Sequence, residues 1–305
     1  MAQLDMVMQD DVDANICLMP AEVLCRISDF LCAGDLKAYN CTAKFISVSI
    51  RPVFFSRFRV HLQSTQWWNP CFMEIAPSIT AISGRTDFII RFLKAKEISK
   101  NVVDVSIDMT EYMLKESDDL AKSIPYLPTS VTTLHISHDL ITFLPLQITR
   151  MTWLTELYVN HNDLSDRNSL VGIGNLVALT KLDISDNAIT ELPGELGNLV
   201  QLKVLVINHN SIETLPDTIG RLVLLEELYM INIPLEWIPV EVANFKSLRK
   251  LYLLTSSGLK LDFEPSTLFL PLITDFYLDK DTVRTDDWDV LYAYFGTKLH
   301  DEQAD

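Results

Sequence analysis

Basic residues are scarce, and scarcest near the N-terminus: residues 1–25 contain five acids and no Lys or Arg. A secretory leader, which needs a cationic start, is therefore not expected. Over the whole chain 25 Lys and Arg face 41 Asp and Glu, for a formal net charge of −16. A nucleic-acid binder needs a basic face for phosphates, so no nucleic-acid partner is expected. Residues 281–305 carry −5, with seven acids and two bases, and read as a second acidic end that favours solvation. Long apolar runs are missing too. Phe88–Leu93 is broken by Arg91, far short of the roughly 18 residues a membrane span needs, so no membrane association is expected. Glycine is rare, at nine residues, and neither GxxxxGK[ST] nor GxGxxG occurs. Without GxSxG or HExxH either, no catalytic residue, cofactor or enzymatic activity is expected. Cysteine is absent after Cys71; Cys17, Cys25, Cys32, Cys41 and Cys71 are odd in number and form no CxxC pair. That favours reduced thiols in the cytoplasm or nucleus of a eukaryotic cell.

What the chain does have is self-similarity. The pattern LxxLxLxxNxL appears as Leu179, Leu182, Ile184, Asn187, Ile189, and again 23 residues on as Leu202, Leu205, Ile207, Asn210, Ile212. Leu154, Leu157, Val159, Asn162, Leu164 and Val131, Leu134, Ile136, Asp139, Ile141 precede them. Leu225, Leu228, Met230, then Leu248, Leu251, Leu253, then Ile273, Phe276, Leu278 follow, and Val102, Val105, Ile107 read as an irregular first unit. Alternation in the LxL segment predicts a short strand with its leucines facing inward. One such strand cannot bury that face alone, but stacked neighbours can. The Asn closing each strand suits an inward bend, since its amide both donates and accepts. Ile233 and Ser256 take the Asn place further on, so the inward network is expected to break there. Leu144-Pro145, Leu192-Pro193, Leu215-Pro216 and Ile238-Pro239 mark extended returns, followed by helical turns at Leu196/Leu199, Ile219/Leu222 and Val242/Phe245.

This pattern resembles the leucine-rich repeat family in its 23-residue intracellular form, over about residues 126–285. The resemblance implies a solenoid with a concave parallel β-sheet. Extracellular repeat proteins usually seal both ends with disulfides, and no cysteine is available here at the C-terminal end.

The N-terminal segment has a different texture. Pro20 suits the first turn of a helix and Glu22 its positive end. Val23, Leu24, Ile27, Phe30 and Leu31 follow as an apolar stripe at helical spacing. Gly34 stops this helix, and Asp35 caps a second one beginning at Leu36. Met19-Pro20, Glu22, Leu24, Ile27, Phe30-Leu31, Asp35-Leu36 and Lys44-Phe45 resemble, in order, the F-box pattern, with Met19 for Leu and Ala43 for the usual Cys or Ser as departures. Arg51–Val60 is similar to the fungal continuation into repeats. An F-box implies binding to the Skp adaptor of a cullin–RING ubiquitin ligase, through Pro20, Val23, Leu24, Ile27, Phe30, Leu31 and Leu36. The competing reading is that these helices only cap the repeats.

The expected architecture is thus α/β repeat, a small all-α F-box before the leucine-rich repeat solenoid. An acidic disordered tail covers residues 1–14, the F-box 15–60, and a joint with degenerate repeats 61–125. Repeats fill 126–290, and a cap with an acidic tail fills 291–305. Within the joint, Trp67-Trp68 suggests a loop and Thr86–Glu97 a helix.

Repeat register also identifies outward positions. Between the inward residues of LxL stand His135, Tyr158, Asp183, Val206, Tyr229, Tyr252 and Tyr277. Tyr229, Tyr252 and Tyr277 are consecutive and are expected to stack, each strand ~4.8 Å from the next. Exposed aromatic ladders anchor partners; ordinary sheet packing is the other explanation. Flanking carboxylates suggest that such a strip takes apolar or cationic side chains. Just before the Asn come His138, His161, Asp186, His209 and Asn232, a column open to three readings: polar surface, a pH-sensitive contact or a metal. Plain surface is favoured over a metal. A protein target on the concave face is expected to touch Tyr158, Tyr229, Tyr252, Tyr277, His161 and His209. The expected function is substrate recognition for the ligase; a non-degradative scaffold, for instance for a small GTPase, is the alternative.

Overall fold

The computed structural model describes residues 6–7, 59–62, 81–85, 102–108, 121, 124–137, 141–235, 240–254, 270–278 and 285–301. The adaptor-binding residues expected between Pro20 and Leu36, Trp67-Trp68, the helix expected at Thr86–Glu97, His138 and Ser256 lie outside them. Two compact units are formed, Met1–Glu111 with Ser123–His135, and Tyr112–Lys122 with Ile136–Asp305.

In the first unit, β1 (Met6–Val7) pairs antiparallel with β2 (Arg59–Leu62). Met6–Val7 falls in the tail expected to be disordered; pairing supplies partners to backbone groups on one edge of β2. β3 (Ala81–Arg85), β4 (Asp104–Asp108) and β5 (Thr133–His135) then add in parallel. Val60, Ile82, Val105 and Leu134 are in register, so strands with the repeat pairing run through the segment read as a joint.

The second unit carries β6 (Glu156–Tyr158), β7 (Lys181–Asp183), β8 (Val204–Val206), β9 (Glu227–Ile231), β10 (Lys250–Leu254) and β11 (Asp275–Leu278), each parallel to the next. Leu157, Leu182, Leu205, Leu251 and Phe276 align across the strands and are 0% exposed. Each such side chain contributes about 1.5–3 kcal/mol by leaving water. Helix α1 (Thr285–Phe295) follows, docking Phe295 edge-on against Phe276 with ring centroids 5.3 Å apart. Beyond it, β12 (Leu299–Asp301) pairs with β11, Leu299 opposite Phe276. The segment expected to be only a cap and tail therefore contributes a further strand in the same register.

The return segments are 3-10 turns, among them Gly194–Asn198 and Asp217–Arg221. Pro193 and Pro216 precede these two with ψ of 143° and 144°, the extended geometry proline favours. Leu196, Leu199, Ile219 and Leu222 point into the core at 0% exposure. Neighbouring returns approach to backbone contact over glycine. A Cβ on Gly174 would lie 2.5 Å from Glu195 O, one on Gly197 2.4 Å from Thr218 O, and one on Gly220 2.7 Å from Glu241 O.

Where β6, β7 and β8 turn, asparagine does the joining. Asn210 Nδ2 donates to the carbonyls of Ile184, Ile207 and Asn208 at 3.0, 3.0 and 3.1 Å, and Oδ1 accepts from Ile189 N–H at 3.1 Å. Asn187 and Asn162 repeat the arrangement one and two units earlier. At the next place Ile233 is buried, 1% exposed. With no side-chain donor or acceptor at this position, the amide ladder stops as the substitution implies.

Candidate protein-binding face

Parallel pairing in register sets equivalent side chains on neighbouring strands beside one another. Tyr229, Tyr252 and Tyr277 face each other in this way on β9, β10 and β11. Tyr229 and Tyr252 stack with ring centroids 4.7 Å apart and planes 13° from parallel; Tyr252 and Tyr277 are 4.2 Å apart at 8°. The sequence reading missed a fourth member: His300 on β12 stacks on Tyr277 at 4.6 Å and 21°. All four rings are half-buried. The signal for His300 was weak, because Lys298-Leu299-His300 lacks the LxxLxL frame.

The face beside this column is charged and internally paired. Glu227 Oε2 accepts from Tyr229 Oη at 2.8 Å, and Glu227 Oε1 lies 3.0 Å from Lys250 Nζ. Burial by itself would push the Glu227 carboxyl up, but the bonds from Lys250 and Tyr229 outweigh it and hold it below the ordinary carboxylate range. Burial, then the bond to Glu227, raises the Tyr229 phenol; the same carboxylate raises Lys250. At the column's far end His300 Nε2 is 3.6 Å from Asp275 Oδ1, while Asp275 Oδ2 accepts from Thr274 Oγ1 at 2.8 Å.

Tyr158 stands apart from the column, since Asp183 and Val206 occupy the two strands between. Its Oη donates to Glu156 Oε2 at 2.9 Å, and Lys181 Nζ sits 4.9 Å from its ring centroid. One face of this ring is thus engaged by an internal cation. The two histidines expected on the target surface, His161 and His209, stand in the turns after β6 and β8. His161, Asp186, His209 and Asn232 all have positive φ, between 52° and 56°. This left-handed region is several-fold enriched in Asn, Asp and His among non-glycine residues, which explains the composition of the column through the backbone. His161 Nε2 lies 3.6 Å from Asp186 Oδ2, and His209 Nδ1 is 3.2 Å from Asn232 Nδ2. Among the described residues no group of three or more His, Cys, Asp or Glu is placed to hold a metal ion. Nor is any helix of the described residues long and apolar enough to cross a membrane.

The stacked strand-and-return units, joined by asparagine inside, have the architecture of leucine-rich repeats. Residues 160–264 match the leucine-rich repeat region family. The chain is similar to human podocan-like protein 1, 38% identical over 74 residues, and to rat lumican, 27% identical over 117 residues. These stretches cover 24% and 37% of this chain and span only 14% and 35% of the two relatives' lengths. Among solved structures, an internalin from Listeria monocytogenes aligns with a TM-score of 0.48 at 19% identity, covering 68% of this chain and 56% of the internalin.

Proposed function

We propose that this chain is a non-catalytic receptor that captures a protein through the sheet face of its repeats, and that its N-terminal segment couples the captured protein to a cullin–RING ubiquitin ligase. The stacked column Tyr229–Tyr252–Tyr277–His300 carries the capture part. Half-exposed aromatic rings held rigid by one another supply contact area at little further ordering cost, the property that makes aromatic residues frequent anchors. The ligase part rests on the ordered resemblance of Pro20, Glu22, Leu24, Ile27, Phe30-Leu31 and Asp35-Leu36 to an F-box. Such a receptor works in the cytoplasm or nucleus. A second reading, a repeat scaffold without a ligase, is favoured by the family match, since residues 160–264 suffice for it.

Affinity purification of the full chain, followed by mass spectrometry, tests both parts. Leu24→Asp with Ile27→Asp is expected to remove the Skp adaptor and leave the repeat-domain circular dichroism intact. A variant that unfolds the repeats would mean that the N-terminal helices cap them. Tyr252→Ala is expected to lose target proteins and keep the adaptor. Retention of every target at wild-type yield would place capture away from the column.

A further inference from the structure

We propose that the column binds an extended peptide segment that lays an aromatic side chain flat across the ring edges and carries Lys or Arg on either side. This rests on the capture reading above and adds the chemistry of what is captured. Tyr252 has Tyr229 against one face and Tyr277 against the other; Tyr277 lies between Tyr252 and His300. The faces of the inner rings are therefore used up within the protein, which removes the cation–π contact expected of them from sequence. A partner arriving on the sheet meets ring edges instead. An aromatic edge is the positive pole of the ring quadrupole, and its best partner is the electron-rich face of another ring.

Charge adds a second constraint. By register, the outward positions of β6 to β11 in the two rows crossing this face, with Lys298 just before β12, hold Glu156, Asp183, Glu227 and Asp275 against Lys181, Lys250 and Lys298. Glu227 and Lys250 engage each other at 3.0 Å, Lys181 sits over Tyr158, and one carboxylate remains in excess. The balance disfavours an acidic segment and favours a basic one. Length is the third. The three centroid separations of 4.7, 4.2 and 4.6 Å give a column about 13 Å long. An extended chain advances about 3.3 Å per residue with alternate side chains on one side, so residues i, i+2 and i+4 of the segment cover it. The central position takes the aromatic residue and the outer two the cations.

The test uses the full chain and fluorescein-labelled peptides read by anisotropy. The probe is Gly-Ser-Lys-Thr-Trp-Thr-Lys-Ser-Gly; one variant replaces Trp by Leu, another both Lys by Glu. Leucine is expected to weaken binding about three- to tenfold, the range of an aromatic pair. Glutamate is expected to weaken it about tenfold or more at low salt, with the difference shrinking as salt rises. Tyr252→Ala should cost about tenfold, while Tyr292→Ala, an exposed ring on α1, leaves the affinity unchanged. Equal binding of the leucine or the glutamate peptide overturns the proposal, as does no measurable binding of the probe. If the probe fails while Tyr252→Ala still strips protein targets in the purification, capture stands and only the peptide chemistry falls. If neither responds to Tyr252→Ala, both fall.

Discussion

Replacing Asn210 by Ala tests whether the turn amides hold adjacent repeats together. The side chain is 5% exposed, and its amide serves four backbone groups drawn from two successive units and the turn between them. Its two N–H hydrogens and its one accepted bond amount to three hydrogen-bond equivalents, each with a net contribution of about 0.5–1.5 kcal/mol. The Ile189 N–H left behind costs about 1–3 kcal/mol if water does not reach it. Counting the accepted bond through the orphaned Ile189 N–H only, the expected loss is about 2–6 kcal/mol, measured by urea unfolding of the full chain with the slope checked for constancy. Asn210→Asp sharpens the test. It keeps the acceptor but turns a carboxylate towards three carbonyl oxygens, so it should destabilise at least as much as Ala. Hydrogen exchange at the Ile189 amide supplies a local readout. A loss below about 1 kcal/mol, or an unchanged Ile189 exchange rate in Asn210→Ala, would refute the argument.

Other substitutions probe other joints. Gly197→Ala should lower the melting midpoint, with a cost of about 1–3 kcal/mol for overpacking, because its Cβ would meet Thr218 O at 2.4 Å. Gly194→Ala, whose nearest neighbour would be 3.8 Å away, should melt close to wild type, and equal melting of the two would contradict the close approach. For Glu227 the folded carboxyl is held below its ordinary range, so its stabilising contribution is present above the unfolded value of about 4.3 and lost as pH falls through the lower folded value. The stability gap between wild type and Glu227→Gln should thus be present at pH 7 and close on acidification; a gap that widens would reverse the sign. Leu205→Ala, at 0% exposure, is expected to cost about 2–5 kcal/mol, and an unchanged urea midpoint would mean the strand register is wrong.

The strand register was readable because a period of 23 to 25 with apolar residues at both inward places leaves little freedom: Leu157, Leu182, Leu205, Leu228, Leu251 and Phe276 all sit where alternation put them. The aromatic stack followed from the same register, up to His300. That residue escaped because α1 stands where a return and a first leucine would have announced the strand. The glycines escaped for another reason. Their rarity was weighed for phosphate loops, whereas Gly174, Gly197 and Gly220 are needed for a missing Cβ between successive returns. The histidine column, read chiefly as polar surface, has a backbone reason that the pattern did not show, the left-handed φ of His161 and His209. A one-dimensional pattern does not carry φ.

The bonds that join the repeats connect residues about one period apart: Ser137 to Asn160 spans 23 residues, Ile189 to Asn210 spans 21, and Asn187 to Val159 spans 28. This has a kinetic consequence. Such contacts close short loops, so folding does not wait for distant parts of the chain to meet. At translation rates of about 5–20 residues per second, one more period emerges from a ribosome about every 1 to 5 s. Each repeat then finds the preceding strand's edge already formed when its own leucines appear, so the apolar face of the growing sheet is left exposed for seconds, one repeat at a time.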